Sequence, residues 1–301
     1  MINHLLIPLD GSSLAEIVLP YARTLYKALH PRVTLIHMIE QDTSGSIHGE
    51  RHLATEEEAC VYLGKVASEW FPADADITCH VHTEAVDSVA GSLADHIDEL
   101  KPDLVLMCAH GSGGWRDFTV GNLAHQVISR TRIPIILIKK EPDPQGNLFS
   151  FLVCLDGLPE HEEMLPAVVE LARVLGAEVR LLMVVHTTGS LPGSDGETGR
   201  LLPNTTRAVL DATEDFAYEY LGKKALVFEE SERKVSIQVL RGDPAQEILE
   251  VANTGEFDLL AVGTHGKAGL GAFWAGSVGA RVINGSSIPL LMVPARTNKT
   301  E

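Results

Sequence analysis

The residues best suited to chemistry lie in one stretch, Gly263-Thr264-His265-Gly266, followed after nine further residues by Gly276-Ser277-Val278. Glycines at 263, 266 and 276 leave the main chain bare, so that backbone N–H groups can approach a phosphate closely. Gly276, Ser277 and Val278 read as the start of a helix, where unpaired N–H groups and a dipole worth about half a charge favour an anion. Ser277 adds a hydroxyl, and His265 and Lys267 add donors or positive charge in an acidic chain. The chemistry this pattern suits is the holding of a polyphosphate. The alternative is a glycine-rich connection that lets a helix and a strand pack closely.

Such a loop acts only if a strand delivers the chain to it and a helix receives it. Short apolar runs at Leu5–Leu9, Val33–Ile39, Ile77–His82, Leu104–Cys108 and Ile133–Ile138 read as strands, several too continuously apolar to have a wet face. The stretches Ser13–Leu29, Thr55–Trp70, Val86–Leu100 and Val120–Ser129 have helical spacing and good helix formers. Later strands are expected at Phe151–Leu155, Glu178–Val185, Val235–Leu240, Leu259–Gly263 and Pro289–Val293. The order predicts an α/β fold of two tandem Rossmann-like domains, each a five-stranded, mostly parallel sheet with helices on both faces. Ligands of such sheets sit outside the carboxyl ends of the strands, where strand order reverses, which is where 263–278 falls. The Gly-, Ser- and Thr-rich segments Gln41–Glu50 and Thr187–Asn204 read as mobile loops.

The two-domain reading rests on internal repetition. Shifted by 146 positions, Leu6, Leu9, Asp10, Gly11, Glu16, Leu19, Pro20, Leu25, Leu29, Val33 and Leu35 meet identical residues. Shifted by 155, His110, Gly111, Gly114, Phe118, Gly121, Val127, Ile128, Ile133 and Pro134 do the same. The domains are expected at 1–140 and 148–301, joined by the breaker-rich Glu141–Asn147.

Composition narrows the partners. The 301 residues are 45% hydrophobic and 22% charged, the balance of a globular protein. The formal net charge of −17 is spread over both halves: residues 1–140 carry 18 acids against 11 bases, and 141–301 carry 23 against 13. That field repels phosphodiester backbones and anionic lipid, so neither nucleic acid nor membrane is an expected partner. Cys60, Cys79, Cys108 and Cys154 are dispersed, as suits reduced thiols, and no export signal or membrane-length run is visible. A cytoplasmic location is expected.

Gly-x2-Gly-x9-Gly-Ser, an apolar helix and Ile288-Pro289-Leu290-Leu291-Met292-Val293 together resemble the universal stress protein family. The likeness runs through both halves, including Ile7-Pro8-Leu9-Asp10 and its partner ending in Asp156. It implies an ATP-binding module of the stress response, with a divalent ion such as Mg accompanying the phosphates. It also implies roles for individual residues. Asp156 would lie beside the nucleoside, and the backbone of Val184 would read adenine. Val262, Gly263, His265 and Gly266 would form the ribose and phosphate loop, and Gly276, Ser277 and Val278 would cradle the outer phosphates. In the resembled family the last strand pairs antiparallel with its own copy, so the two repeats are expected to pair within one chain and the chain to form a homodimer.

The first copy matches less well. Asp10, Met38, His110, Gly111 and Gly121 are in place, but Cys108 stands for the first glycine and Asn122 for the serine. Asp87-Ser88-Val89 replaces the Gly242-Asp243-Pro244 turn and adds a carboxylate where phosphates would lie. Simpler roles stand beside the functional ones. Asp10 and Asp156 suit Asx turns or helix caps, and the paired histidines His80/His82 and His48/His52 lack a third ligand at defined spacing. No Walker lysine, adenylylation signature or placed general base is present, and catalytic and metal residues are assigned to none. Three functions stay open: a nucleotide-dependent regulatory module, a slow ATPase or nucleotide transferase, and a scaffold that has lost nucleotide binding.

Overall fold

The computed structural model of the chain describes residues 1–40, 46–47, 50–51, 53–86, 88–109, 122–139, 143–191, 193, 197–198, 201–228, 234–264 and 277–294. The first half contributes β1 (His4–Pro8), β2 (Arg32–Glu40), β3 (Ile77–Val86), β4 (Leu104–Cys108) and β5 (Ile135–Ile138). The second contributes β6 (Ser150–Cys154), β7 (Glu178–Val185), β8 (Val235–Arg241), β9 (Leu259–Thr264) and β10 (Leu290–Pro294). Contacts divide the chain into two compact units, residues 1–148 with 287–294, and residues 149–286.

In the first unit the strands run β3-β2-β1-β4-β5 and all these pairs are parallel. Strand β10 lies antiparallel against β5, with Leu290 opposite Leu137 and Met292 opposite Ile135. The expected pairing of the last strands therefore occurs within the chain. It covers an apolar edge that would otherwise invite association. In the second unit the order is β8-β7-β6-β9, again parallel. Both orders reverse beside the first strand of the repeat, between β1 and β4 and between β6 and β9.

The strands are apolar because both faces are covered. Leu5, Leu6, Ile7, Val105, Leu106 and Ile135 to Ile138 are buried, as are Phe151, Leu152, Val153, Leu181, Leu182 and Leu259 to Ala261. Full burial of each large aliphatic side chain contributes about 1.5–3 kcal/mol. The helices of the first half are α1 (Ser13–Glu16), α2 (Leu19–Leu29), α3 (Glu56–Trp70), α4 (Val89–Leu100) and α5 (Asn122–Arg130). Those of the second are α6 (Leu165–Leu175), α7 (Pro203–Ala225), α8 (Pro244–Ala252) and α9 (Val278–Gly285).

The helix expected over Ser13–Leu29 is broken in two. Pro20 offers no N–H to bond the previous turn and clashes with the carbonyl four residues earlier, so the helix restarts with the proline in its first turn. The same happens at Pro166, where a 3-10 turn, His161–Met164, precedes α6. Within Gln41–Glu50 the described residues are not a bare loop, because Ser46–Ile47 pairs with Glu50–Arg51 in a small antiparallel ribbon. Within Thr187–Asn204, Thr187 to Ser190 close a turn, and Ser190 Oγ donates to the Gly242 carbonyl at 2.8 Å. No disulfide joins the four cysteines, and among the described residues no helix is long and apolar enough to cross a membrane.

The described part of the expected linker is docked rather than loose. Asp143 gathers the turn by accepting from the N–H groups of Gln145 (2.9 Å) and Asn147 (3.1 Å), while its own N–H donates to the Tyr21 hydroxyl at 3.0 Å. Gly146 has φ +64°, and a Cβ there would lie 2.3 Å from the Pro20 carbonyl carbon, against the backbone of α2. Gly146→Ala must therefore both strain φ and push on main chain, and should destabilise the protein by about 1–3 kcal/mol. A lowered urea midpoint with unchanged m-value is the expected readout; an unshifted midpoint would show that the turn is not held against α2.

Candidate functional site

The candidate site of the second unit lies at the carboxyl ends of β6 and β9, where the strand order reverses. Strand β6 ends at Cys154, and the chain turns through Asp156 and Gly157, the latter at φ +83°. Asp156 makes the Asx turn that its sequence suits: one carboxylate oxygen accepts from the Leu158 N–H at 3.0 Å. The other accepts from Nδ1 of His161 at 2.7 Å. The aspartate is thus set from two sides, and an ionised carboxylate has lone pairs left for a further donor.

The pair reshapes both titrations. Partial burial of Asp156 works against its ionisation, but the hydrogen bonds from His161 and Leu158 outweigh it and hold the carboxyl below its usual range. Burial works against protonation of His161, yet Asp156, with a smaller contribution from Glu160, raises the imidazole above its usual value. The pair thus favours the protonated form of His161 and the ionised form of Asp156.

Strand β9 brings Val262 and Gly263 to the same end of the sheet, with Val262 paired beside Cys154. Gly263 has a packing reason to be glycine. A Cβ on it would lie 2.9 Å from both Cα and Cβ of His161 and 3.0 Å from the His161 carbonyl oxygen. The turn carrying His161 is seated directly on the strand. Thr264, next in line, is fully buried, and its hydroxyl makes no hydrogen bond among the described residues. Val184 lies near the end of β7, paired with Leu240.

Ser277 is the N-cap of α9: at φ −65° and ψ 161° its hydroxyl oxygen accepts from the Ala280 N–H at 3.2 Å. Capping consumes one orphan donor of the helix start. Val278, the first helical residue, is 40% exposed. Arg281, one turn on, donates from both terminal nitrogens to Asp243, the N-cap of α8, at 2.9 and 2.8 Å. This pair ties the starts of the two helices together. His265, Gly266, Lys267 and Gly276 lie outside the described residues.

The first copy is built differently at the same place. Asp10 accepts on one oxygen from both the N–H (2.9 Å) and the hydroxyl (2.6 Å) of Ser12, which also caps α1. Ala15 stands where His161 does, so the aspartate lacks a matching imidazole. Gly11 has φ +89°, and a Cβ there would lie 2.8 Å from Leu53 Cδ1, so the leucine sits tightly on the Asp-Gly turn. His37 Nδ1 donates to the Leu9 carbonyl at 2.8 Å, and its Nε2 lies 3.4 Å from the Leu53 carbonyl oxygen. Met38 is buried, with the Ser92 hydroxyl 3.5 Å from its sulfur. His110, Gly111 and Gly121 lie outside the described residues, and of Asn122 only its place as the first residue of α5 is described.

The histidines of β3 gain a companion that their spacing did not reveal. His96 on α4 places its ring centroid 4.9 Å from those of both His80 and His82, tilted 54° to the first and edge-on at 85° to the second, while its Nδ1 donates to the Ser92 carbonyl at 2.8 Å. Among the described residues no group of three His, Cys, Asp or Glu side chains is arranged to hold a metal ion. His48 and His52 lie outside them. His161 and Phe216 are residues of the site that local motifs do not mark. For His161 a signal existed in the repeat alignment, since Ala15 with Cys108 becomes His161 with Gly263: the larger residue moves from strand to turn.

Comparison with known proteins agrees with this architecture. The description of the Universal stress protein family matches the chain twice, at residues 1–139 and 150–294. A curated universal stress protein of Methanocaldococcus jannaschii is 30% identical over 148 residues, covering 49% of this chain and 83% of the relative. Among solved structures, a putative universal stress protein from Pseudomonas aeruginosa UCBPP-PA14 superposes with a TM-score of 0.67 at 13% identity, covering 98% of this chain and 94% of the other. A universal stress protein from Archaeoglobus fulgidus gives 0.61 at 15% identity, covering 99% and 98%. At these identities the structural likeness speaks for the fold.

The Asp156–His161 pair predicts a pH signature. The contribution of a raised imidazole is complete below about pH 6.5, its unfolded value, and is lost as pH rises through the folded value. The contribution of a depressed carboxyl is present above about pH 4 and is lost as pH falls through the folded value. His161→Gln should therefore cost most stability near pH 5–6 and less at pH 8.5. Urea unfolding of both proteins at the two pH values checks this; a cost that is flat across that range would mean that the pair is not ionic.

Proposed function

The chain belongs to the universal stress protein family, with one repeat in each half, and from that premise we propose that it is a nucleotide-binding stress-response module whose second repeat holds ATP. The base and ribose would lie against Asp156 and the backbone of Val184, and Val262, Gly263, His265 and Gly266 would line the ribose and inner phosphates. Gly276, Ser277 and Val278 at the start of α9 would receive the outer phosphates, with a divalent ion such as Mg neutralising them. The observation that carries the reading is the set aspartate, Asp156, at the strand-order reversal, beside a strand whose Gly263 admits no side chain.

Local physics supports a phosphate here in a protein of net charge −17. A capped helix start offers the oriented N–H groups and dipole that anions require, and the Asp156 contact favours the protonated form of His161 nearby. Occupancy at a hundred times Kd stabilises the bound state by about 2.7 kcal/mol, enough to order glycine-rich segments. The first repeat serves as a partner fold rather than a second equal site, since Leu53 covers its Asp-Gly turn and Cys108 replaces the strand-end glycine. Binding is the activity proposed, with nucleotide occupancy altering assembly or a partner surface of a cytoplasmic homodimer.

Ser277→Asp separates the site from the fold. Aspartate caps a helix as well as serine does, so stability without ligand should be kept, while a carboxylate facing phosphates should weaken ATP binding by about a hundredfold. Calorimetry and thermal shift with ATP give the readout. Unchanged ATP affinity in a folded Ser277→Asp protein would place the phosphates elsewhere.

A further inference from the structure

One exposed aromatic side chain stands beside the aspartate turn of the second unit. Phe216, in the middle of α7, is 52% exposed, although the helix buries Leu210, Ala217, Tyr220 and Leu221 against the unit. Its edge reaches the site: a Cβ on Gly157, the residue after Asp156, would lie 3.6 Å from Phe216 Cε1 and 3.7 Å from Met183 Cε. Met183 precedes Val184 on β7. Phe216, Gly157 and Met183 therefore meet where β6 and β7 end.

The ring is held there. Tyr220, one turn along α7, stacks on Phe216 with centroids 5.9 Å apart and planes 21° from parallel. The Tyr220 hydroxyl donates to Glu162 at 2.9 Å, and Lys224 Nζ donates to the other oxygen of Glu162 at 2.5 Å. Glu162 follows His161 in the 3-10 turn that fixes Asp156. One short segment thus anchors both the carboxylate and the aromatic pair. With one face toward Tyr220 and half its surface in water, Phe216 leaves apolar ring area available to a flat partner.

We propose that Phe216 is the wall on which the base of the bound nucleotide stacks, a specificity-determining residue of the second repeat; this rests on the nucleotide reading above. A nucleobase has the required shape, and stacking on an aromatic ring retains the base while the phosphates are held separately. The first unit has an aliphatic side chain at the equivalent turn, Leu53, packed close on Gly11. That leucine side chain has no ring on which a base could stack.

The test uses the full chain with ATP and inorganic tripolyphosphate as probes. Phe216→Ala should weaken ATP binding by roughly tenfold or more and leave tripolyphosphate binding unchanged. Phe216→Trp should keep ATP affinity, and its added indole fluorescence should be quenched by ATP but not by tripolyphosphate. Equal or tighter ATP binding by Phe216→Ala would overturn the proposal, as would equal loss for both probes, which marks a merely structural role. If Phe216→Ala does not fold, the fluorescence of Phe216→Trp decides alone, and an indole indifferent to bound ATP overturns the stacking. Wild-type protein that binds ATP while the variants fail these criteria sinks only this inference; wild-type protein that binds no adenine nucleotide sinks the nucleotide reading as well.

Discussion

The second unit is organised by a backbone contact that leaves no room for a side chain. The turn carrying His161 rests on Gly263 so closely that a Cβ at 263 would meet its Cα, Cβ and carbonyl oxygen at about van der Waals overlap. From that contact follow the position of His161, its hydrogen bond to Asp156, and the anchoring of α7 through Glu162. A hydrogen-bonded Asp–His pair, a bare strand end and an aromatic ring are thereby brought to the carboxyl edge of β6, β7 and β9. Each is an ordinary interaction. Their shared support on one 3-10 turn makes the arrangement specific.

The two repeats show what happens when that contact is changed. With Ala15 in the turn and Cys108 on the strand, bulk moves from one side of the contact to the other and the imidazole is lost. Ser12 takes over the aspartate, and Leu53, with His37 beneath it, covers the turn. The fold tolerates both solutions because the sheets depend on buried aliphatic strands and not on the crest. Divergence at the crest is therefore a divergence of local side-chain chemistry at constant architecture.

Much of the architecture was legible in the sequence. Continuous apolar runs located the strands to within a residue or two at most ends, and Glu178–Val185 and Leu104–Cys108 coincide with the expected limits. The antiparallel pairing of the last strands was expected from the family likeness. Periodicity did not reveal the helix break before Pro20, since apolar spacing continues across it while hydrogen bonding does not. Nor did it reveal the docking of 143–147 on α2, which depends on a left-handed Gly146 and a tyrosine hydroxyl 122 positions away from Asp143. Of the motif residues, Asp156 and Ser277 perform the local turn and cap roles that their types favour. His161, Phe216 and His96 escaped because nothing in local spacing announces a contact made only by folding.

The central claim is that the crest of the second repeat holds an adenine nucleotide while the first does not hold one equally well. Quantifying the small molecules released when purified protein is denatured, before and after incubation with excess ATP and desalting, addresses it most directly. One adenine nucleotide per chain is the predicted result. No nucleotide after either treatment, from protein that is demonstrably folded, would contradict the account.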